Sequence, residues 1–300
     1  MTPEPTRCGF IAVLGAPNVG KSTLVNRLVG AKVSIVSPKV QTTRTRVLGI
    51  YIDGPTQVVL IDTPGIFAPT RRLDRAMVSA AWGGADDADE AILMVDAERG
   101  ARGDTGRLVE KFAETGRTAV LVLNKVDRVK KPELLNLAAS LTARVSFSET
   151  FMISALSGDG VPDLAAFLTA QAAAGPWMFP EDQISDMPQR LFAAEITREK
   201  LYLQLRQELP YAATVETEAW TEHDDGSVRI DQIIYVERKT QKAIVLGKGG
   251  ARIKALGQAA RIELEELFGR RVHLFLFVRV RDRWGDDPER YRDWGLDFNA

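Results

Sequence analysis

The chain has 300 residues, of which 45% are apolar and 26% charged, which is enough for two ordinary domains and too apolar for a wholly disordered protein. Its single cysteine, Cys8, excludes an internal disulfide and a cysteine-cluster metal site, and it indicates a reducing compartment. Residues 1–10 lack the apolar core of a signal peptide, so we expect a cytoplasmic protein.

The overall charge hides a local asymmetry. The formal net charge of −1, from 39 basic and 40 acidic residues, by itself indicates no polyanionic partner. Residues 238–283, however, hold 12 lysines and arginines against 4 acidic residues, a local charge of +8, so the rest of the chain carries −9. This basic window is a candidate surface for nucleic acid.

The first half of the chain alternates short apolar runs with helical patterns. The runs are residues 10–14, 58–61, 91–95, 119–123 and 151–153. This alternation predicts an α/β domain with a parallel sheet and helices on both faces. Residues 47–52 and 57–62 flank Asp53-Gly54-Pro55-Thr56, which predicts a hairpin and one antiparallel strand, so the sheet is mixed but mostly parallel.

A stretch rich in proline and turn-forming residues separates the two halves. We therefore predict a first domain over 1–175, a linker over 176–188 and a second domain with a C-terminal tail over 189–300. The second domain is predicted to have an α+β fold. Its predicted elements are a helix over 189–206, strands over 213–219 and 228–236, a helix after residue 250, and a strand over 272–280. The first helix is predicted to place Phe192, Ile196 and Leu203 on one apolar face, and the second has an apolar stripe of Ile253, Leu256, Ala260, Leu264 and Leu267.

The segment Gly15-Ala16-Pro17-Asn18-Val19-Gly20-Lys21-Ser22 fits the phosphate-loop (P-loop) pattern. It follows an apolar run and opens a helix predicted over 21–28. Its glycines let backbone N–H groups converge on phosphate oxygens, and the helix N-terminus adds the positive end of its dipole. We expect Lys21 to reach the β and γ phosphates and Ser22 to ligate Mg²⁺. The alternative is a glycine-rich strand-to-helix turn.

Three further motifs each follow a predicted strand, at the edge where open α/β sheets bind ligands. Asp62-Thr63-Pro64-Gly65 offers a carboxylate for a magnesium shell and a Gly65 N–H for the γ-phosphate. Asn124-Lys125-Val126-Asp127 offers a carboxylate that can accept hydrogen bonds from guanine N1–H and its 2-amino group, and that adenine would leave unpaired. Ser154-Ala155-Leu156 offers a backbone N–H for the guanine carbonyl. The order of the motifs predicts a guanine-nucleotide site.

Together these motifs resemble those of GTP-binding proteins of the translation-factor-related class. The resemblance implies that residues 33–46, with Gln41-Thr42-Thr43-Arg44, form a switch segment in which Thr43 senses magnesium, with Thr42 beside it as the alternative. It implies catalytic roles for Lys21, Thr43 and Gly65 and a magnesium shell of Ser22, Thr43 and Asp62. The GTP-binding residues that it implies are Gly15, Ala16, Pro17, Asn18, Val19, Gly20, Lys21, Ser22, Thr23, Asp62, Thr63, Pro64, Gly65, Asn124, Lys125, Asp127, Ser154, Ala155 and Leu156.

Two positions matter for turnover. Ras-like proteins carry a water-orienting glutamine directly after the Asp-x-x-Gly motif, where this chain has Ile66, so we expect slow hydrolysis. Asn18 occupies a position that helps to hold K⁺ in a potassium-stimulated subset of these GTPases, where the ion offsets transition-state charge. The alternative is that Asn18 is a turn former that bonds its own backbone.

Gly247-Lys248-Gly249-Gly250 lies inside the basic window, between two helical segments. A Gly-x-x-Gly turn lets the backbone approach a nucleic-acid strand, which is how KH modules clamp about four nucleotides. The order helix, two strands, helix, turn, helix, strand resembles the bacterial, type II-like KH domain. The RNA-binding residues that we expect are Lys242, Gly247, Lys248, Gly249, Gly250, Arg252 and Lys254. The alternative is a helix–helix turn with a solvated basic face.

A GTP-binding domain with Pro-Asn in its phosphate loop and Gln-Thr-Thr-Arg in its switch, followed by a KH domain, resembles the bacterial Era family of GTPases. The resemblance implies a GTP-hydrolysing switch that uses GTP, GDP and Mg²⁺, binds the 3′ end of 16S rRNA and assists maturation of the small (30S) ribosomal subunit. It also implies a cytoplasmic protein with peripheral association at the inner membrane face, although the sequence contains no membrane-binding element. We expect a monomer.

Two alternatives stay open at this point. Ile66 also fits an RNA-binding adaptor that binds guanine nucleotide with negligible hydrolysis. A small-molecule kinase built on a phosphate loop is the other, although it leaves Asp127 unexplained.

Overall fold

The computed structural model describes residues 5–205 and 209–300, so the predicted helix end at Arg206 lies outside the described residues. The chain forms two compact units. The first is Met1–Asp186 together with Tyr291–Ala300, and the second is Met187–Arg290. Each unit is described separately below.

The first unit contains a mixed, mostly parallel sheet, as predicted. The strands lie in the order β2-β3-β1-β4-β5-β6, and a short strand β7 pairs antiparallel with β1. The β2–β3 pair is antiparallel and the other neighbours along this order are parallel. The strands are β1 Arg7–Gly15, β2 Val47–Asp53, β3 Thr56–Asp62, β4 Glu90–Asp96, β5 Ala119–Asn124, β6 Phe147–Ile153 and β7 Ala173–Ala174.

Helices cover both faces of this sheet because successive residues of its buried strands point to opposite sides. On one face, Val120 and Val122 pack in the same core as Leu24 of α1 and Leu164 of α5. On the other face, residues such as Leu121 pack in a core with α2, α3 and α4. The helices are α1 Lys21–Val29, α2 Arg72–Asp86, α3 Gly103–Thr115, α4 Lys131–Thr142 and α5 Val161–Gln171.

The second unit has the predicted α+β order. Its sheet runs β10-β9-β8, with β10 parallel and β8 antiparallel to β9. Leu256, Ala260 and Leu264 of the predicted stripe on α8 are buried, which fixes the helix on the sheet. The elements are α6 Gln189–Gln204, β8 Ala213–Glu222, β9 Val228–Val236, α7 Lys239–Leu246, α8 Ala251–Phe268 and β10 Val272–Val280, and helix α9 Pro288–Asp293 follows.

Two predictions need correction. The tail at residues 291–300, predicted as part of the second domain, groups with the first unit. The Arg72 guanidinium of α2 lies 4.2 Å from the ring centroid of Phe298, and Arg75 Nε donates to Ala300 O over 3.3 Å. Leu203, expected on the apolar face of α6, is 53% exposed, and Leu201 and Leu205 are buried instead. The contacts of Phe298 and Ala300 with α2 join residues that are remote in sequence, so the local sequence pattern could not reveal them.

Candidate functional site

The phosphate loop joins β1 to α1 and places Lys21 at the start of the helix. Lys21 is buried, and its Nζ donates to the carbonyl oxygens of Gly15 and Ala16, each at 3.1 Å. Burial lowers the pKa of Lys21 to about 8, and the nearby Asp62 carboxylate opposes that effect. The ammonium therefore rests on carbonyls of the loop itself, in a position to exchange them for phosphate oxygens.

The three predicted magnesium ligands lie together at the end of β3. Ser22 Oγ donates to Asp62 Oδ2 over 2.7 Å and lies 2.9 Å from Thr43 Oγ1. Thr43 Oγ1 lies 3.5 Å from Asp62 Oδ2. A third hydroxyl, Ser34 Oγ, donates to the same Asp62 oxygen over 2.6 Å. Sequence reasoning missed Ser34, which no motif marks.

This oxygen cluster fits Mg²⁺, a hard cation that is held by one or two carboxylates and hydroxyls beside a substrate phosphate. Asp62 is fully buried, and its Oδ1 has no hydrogen-bond partner within the described residues. Burial raises the pKa of Asp62, and the bonds from Ser34 and Ser22 and the charge of Lys21 oppose this. A buried carboxylate oxygen without a donor is costly, and a divalent cation would satisfy it.

The structure distinguishes the two threonines of the switch segment. Thr42 Oγ1 lies 2.6 Å from Ser37 Oγ and donates to Lys39 O over 2.7 Å, so it stabilises the local turn. Thr43 instead contacts Ser22 and Asp62. The geometry supports Thr43 as the magnesium-sensing residue.

Gly65 lies directly against the phosphate loop. A Cβ atom at Gly65 would come within 2.9 Å of Pro17 Cα, so glycine is required for this approach. Ile66, the next residue, donates its backbone N–H to Gly15 O over 3.1 Å. Its apolar side chain packs in the core of the unit and is therefore directed away from the site.

Asn124 connects the phosphate loop to the predicted base-reading segment. Its Nδ2 donates to Val19 O over 2.7 Å, and its Oδ1 accepts from Ala155 N over 2.9 Å. Because Ala155 N is used in this way, Leu156 N is the amide of the Ser154–Leu156 segment with no assigned bond in the described chain. The buried side-chain amide of Asn124 thus fixes the separation of two loops that would bind the phosphates and the base of one nucleotide.

Lys125 lies between the phosphate loop and the end of β4. Its Nζ donates to Asp96 Oδ2 over 2.6 Å and to Asn18 O over 2.8 Å. Asp96 is buried, and its Oδ1 accepts from the backbone N–H groups of Glu98 and Arg99. Sequence reasoning did not single out Asp96, because one aspartate at a strand end is a weak signal.

Asp127 and Leu156 are accessible from solvent at the base end of the site. The side chain of Asp127 is 45% exposed, and Leu156 is 72% exposed. Arg27 of α1 donates to Leu156 O and, over 3.3 Å, to Ala155 O, which supports the loop from below. Arg27 is a further residue that no motif predicted.

Asn18 contacts the switch segment. Its Nδ2 donates to Pro38 O over 2.9 Å, and its backbone φ is 63°. The side chain therefore does not bond its own backbone in the manner of a simple turn former. A role in holding K⁺ stays a prediction.

Ten of the predicted residues line one cavity of about 500 Å³ in the first unit, and Asp127 is not among its lining residues. Its lining also includes Arg99 and Arg128, which sequence reasoning did not select. The predicted residues that line it are Pro17, Asn18, Gly20, Lys21, Ser22, Thr23, Thr43, Gly65, Lys125 and Leu156. Asp62, Asn124 and Ala155 act from beneath this surface, through the contacts described above.

In the second unit, the Gly-x-x-Gly turn connects α7 to α8. Gly247 has φ 72°, and a Cβ there would lie 2.8 Å from Arg252 Cβ, so the turn needs glycine at this position. Lys248 and Lys254 are exposed, and no ion pair is assigned to either among the described residues. Arg252 is also exposed and donates to Ile244 O over 2.5 Å.

Many other arginines of the basic window have acidic partners. Arg270 pairs with Glu222, and Arg279 lies 3.3 Å from Glu218. Arg261 lies 2.9 Å from Glu265 on the same helix. Pairing reduces the effective charge of these arginines, whereas Lys248 and Lys254 beside the turn keep theirs.

The comparisons agree with this architecture. Residues 10–125 match the family model described as a 50S ribosome-binding GTPase, and residues 208–285 match that of a KH domain. The chain is thus a phosphate-loop GTPase that carries a KH domain. It is 62% identical to GTPase Era of Brucella suis biovar 1 over 98% of this chain and 94% of the relative, and 62% identical to that of Rhizobium meliloti over the same shares.

The chain belongs to the Era family of GTPases, so it hydrolyses GTP with Mg²⁺ as cofactor. Two solved structures, each with a TM-score of 0.91 and 38% identity, cover 97% of this chain and 99% of their own. One is Era with MgGDPNP and nucleotides 1506–1542 of 16S ribosomal RNA, and the other is an Aquifex aeolicus Era variant bound to GDP and AlF₄⁻. Every helix in the described part of the chain is too short or too polar to cross a lipid bilayer.

Proposed function

We propose that this GTPase binds the 3′ end of 16S rRNA through its Gly-x-x-Gly turn, under control of its nucleotide state, and thereby assists maturation of the small ribosomal subunit. The observation that carries the proposal is the exposed Lys248, which has no ion pair among the described residues, on a turn where Gly249 and Gly250 have open space at the Cβ position. A full-length relative of 38% identity binds nucleotides 1506–1542 of that RNA, which supports the same partner here.

At the nucleotide, each residue has a proposed task. Lys21 leaves the carbonyls of Gly15 and Ala16 and neutralises the β and γ phosphates, while the N–H of Gly65 donates to the γ-phosphate. Ser22, Thr43 and Asp62 hold Mg²⁺, which supplies charge neutralisation between the phosphates. Asp127 reads the base. Loss of the γ-phosphate releases Thr43 and Gly65, which changes the switch segment.

At the RNA, backbone and charge act together. Gly249 and Gly250 have open space around the position of a Cβ atom, so a single strand can approach the turn closely. Lys248, Lys242 and Lys254 surround the turn with positive charge that contacts phosphates. Arg252 stabilises the start of α8 through its bond to Ile244 O.

The test uses the full chain and a labelled RNA of nucleotides 1506–1542. The double variant Gly249→Asp/Gly250→Asp places carboxylates at the turn. Gly249→Asn/Gly250→Asn is the matched control, since asparagine and aspartate tolerate positive φ alike and differ mainly in charge. We expect the aspartate pair to lose RNA binding at least tenfold relative to the asparagine pair, with unchanged GDP affinity. Equal RNA affinities in two folded variants would refute the RNA site.

Nucleotide control and maturation need separate measurements. RNA affinity should differ between the GDP-bound protein and the protein with a non-hydrolysable GTP analogue. Cells that depend on the aspartate pair should accumulate immature small subunits in sucrose gradients, whereas cells with the asparagine pair should not. Equal affinity in both nucleotide states would separate RNA binding from the switch.

Location and oligomeric state form a further part of the proposal. We place the protein in the cytoplasm as a monomer, with a fraction bound peripherally to the inner membrane face. Sedimentation at micromolar concentration should give one species near the 33.0 kDa of the chain. Flotation with lipid vesicles tests the peripheral fraction, and a complete absence of co-flotation would remove that part.

A further inference from the structure

The carboxylate of Asp74 is shared between two segments of the first unit. Asp74 lies in the first turn of α2 and is 2% exposed. Its Oδ2 accepts from Thr70 N over 3.0 Å, from Thr70 Oγ1 over 3.0 Å and from Arg71 N over 2.9 Å. This oxygen caps the N-terminus of the helix that follows the Asp62–Gly65 motif.

The second oxygen of Asp74 faces the switch segment. Its Oδ1 accepts from Gln41 Nε2 over 2.8 Å. Gln41 has a backbone φ of 57°, which lies in the left-handed region. Residues other than glycine, asparagine and aspartate seldom adopt this conformation, so the backbone of the switch segment is constrained here. Two residues later, Thr43 contacts Ser22 and Asp62 at the magnesium cluster.

We infer that Asp74 is a positioning residue for GTP hydrolysis, which ties the switch segment to the first turn of α2 so that Thr43 and Gly65 reach the γ-phosphate together. The inference rests on the proposed nucleotide roles of Thr43 and Gly65 and is independent of the RNA proposal. The buried carboxylate of Asp74 bonds the switch segment through Oδ1 and the first turn of α2 through Oδ2. Movement of Gln41 therefore removes a donor from a buried charge, and movement of α2 removes the acceptor of Gln41.

The link between Gln41 and Asp74 should matter in the GTP-bound protein and not in the GDP-bound protein. With a γ-phosphate present, Thr43 and Gly65 both have contacts to make, and holding their segments together contributes to turnover. With GDP those contacts are absent, so loss of the tie should leave GDP affinity unchanged. A residue that only stabilised α2 would alter the two nucleotide states alike.

The test exchanges donor and acceptor in the full-length protein. Gln41→Glu places a second carboxylate against Asp74. Asp74→Asn keeps a carbonyl that can cap α2 and turns an amide donor towards Gln41, whose own amide can rotate to accept it. Combined, Gln41→Glu/Asp74→Asn restores one donor and one acceptor in reversed order. Single-turnover GTP hydrolysis, GDP affinity and thermal unfolding are measured for all three variants and for Gln41→Ala.

We expect Gln41→Glu to slow hydrolysis about tenfold, with GDP affinity within twofold of the parent, Asp74→Asn to stay within threefold of the parental rate, and the double variant to recover to within threefold. Additive losses in the double variant, or parental rates in Gln41→Glu and Gln41→Ala, would overturn the inference. If Asp74→Asn does not fold, the test rests on the hydrolysis rates of the other variants. We then expect the parent to be fastest, Gln41→Ala to be slower and Gln41→Glu to be slowest. Equal rates for these three would overturn it.

A reference variant separates this result from the proposed nucleotide chemistry. Thr43→Ala should abolish the difference in affinity between GTP and GDP that depends on Mg²⁺. If Thr43→Ala is like the parent, the proposed role of Thr43 fails. If Thr43→Ala behaves as expected and the reversed pair shows no recovery, only the role of Asp74 fails.

Discussion

The hydroxyl of Ser34 donates to Oδ2 of Asp62 over 2.6 Å, so the switch segment supplies two hydroxyls to the same carboxylate, the other being that of Thr43. Partners that orient a metal-binding carboxylate without touching the metal tune metal affinity strongly. Ser34 would keep Asp62 in place at the site where Ser22, Thr43 and Asp62 are proposed to hold Mg²⁺. The magnesium requirement should therefore depend on a residue outside every recognised motif.

Ser34→Ala tests this dependence. We expect the Mg²⁺ concentration needed for half-maximal hydrolysis to rise about tenfold, since loss of such a partner typically costs 10–100-fold in metal affinity. Ser148→Ala is the matched control, because its hydroxyl bonds Ala119 O on β5, outside the cavity. A magnesium titration of GTP hydrolysis measures both. Superimposable titrations for the two variants would contradict the role of Ser34.

Asp127→Asn should change the base that the site accepts. The variant loses the carboxylate that accepts from guanine N1–H and the 2-amino group, so we expect GTP affinity to fall by at least 100-fold. The amide offers a donor that suits the 2-carbonyl of xanthine, so affinity for xanthosine triphosphate should rise relative to GTP. Competition with a fluorescent nucleotide measures both, and parental GTP affinity in the variant means that Asp127 does not read the base.

Replacement of Na⁺ by K⁺ should raise the rate of GTP hydrolysis, and Asn18→Ala should remove the gain. The bond from Asn18 Nδ2 to Pro38 O gives this variant a second possible effect, on the switch segment itself. The two effects differ in their salt dependence. Loss of a potassium ligand lowers the rate in K⁺ alone, whereas loss of the Pro38 contact lowers it in both salts. Equal parental rates in Na⁺ and K⁺ would exclude the potassium site.

Nucleotide affinity should fall as pH rises above the pKa of Lys21, which burial lowers to about 8 in the nucleotide-free protein. Bound phosphates favour the charged lysine, so binding takes up a proton above that pH, and GDP affinity at pH 9 should be about tenfold below its value at pH 7. Lys21→Met removes this dependence and reveals any titration of the base. A parent that follows the same pH profile as Lys21→Met would show that Lys21 does not titrate in this range.

The same pKa has a consequence for folding with a defined sign. Because the folded-state pKa of Lys21 lies below its unfolded value of 10.5, the unfolded chain binds more protons between pH 8 and 10.5. The contribution of Lys21 to the free energy of unfolding therefore rises with pH across that window. A comparison of the thermal unfolding of the parent and Lys21→Met at pH 7.5 and 9.5 isolates this contribution.

The fold and the motif residues could be predicted because they depend on local pattern. The P-loop, the Asp62–Gly65 motif and the Gly-x-x-Gly turn carry signals within a few residues, and the alternation of apolar runs with helical patterns predicts a mostly parallel sheet. Ser34, Asp74 and Asp96 could not be found in this way. Each acts through one hydrogen bond to a residue distant in the chain, and a lone serine or aspartate is common on any loop.

The position of residues 291–300 makes the KH unit an insertion rather than an appendage. The polypeptide leaves the GTPase unit after Asp186 and returns to it at Tyr291, so the KH unit is tethered by two covalent anchors. Helix α9, Pro288–Asp293, spans this second crossing, so a fragment that ends at Arg290 would cut the helix, and one that keeps all of α9 also takes residues that group with the GTPase unit. A deletion of residues 291–300 would remove the contacts that Phe298 and Ala300 make with Arg72 and Arg75 of α2 in the GTPase unit.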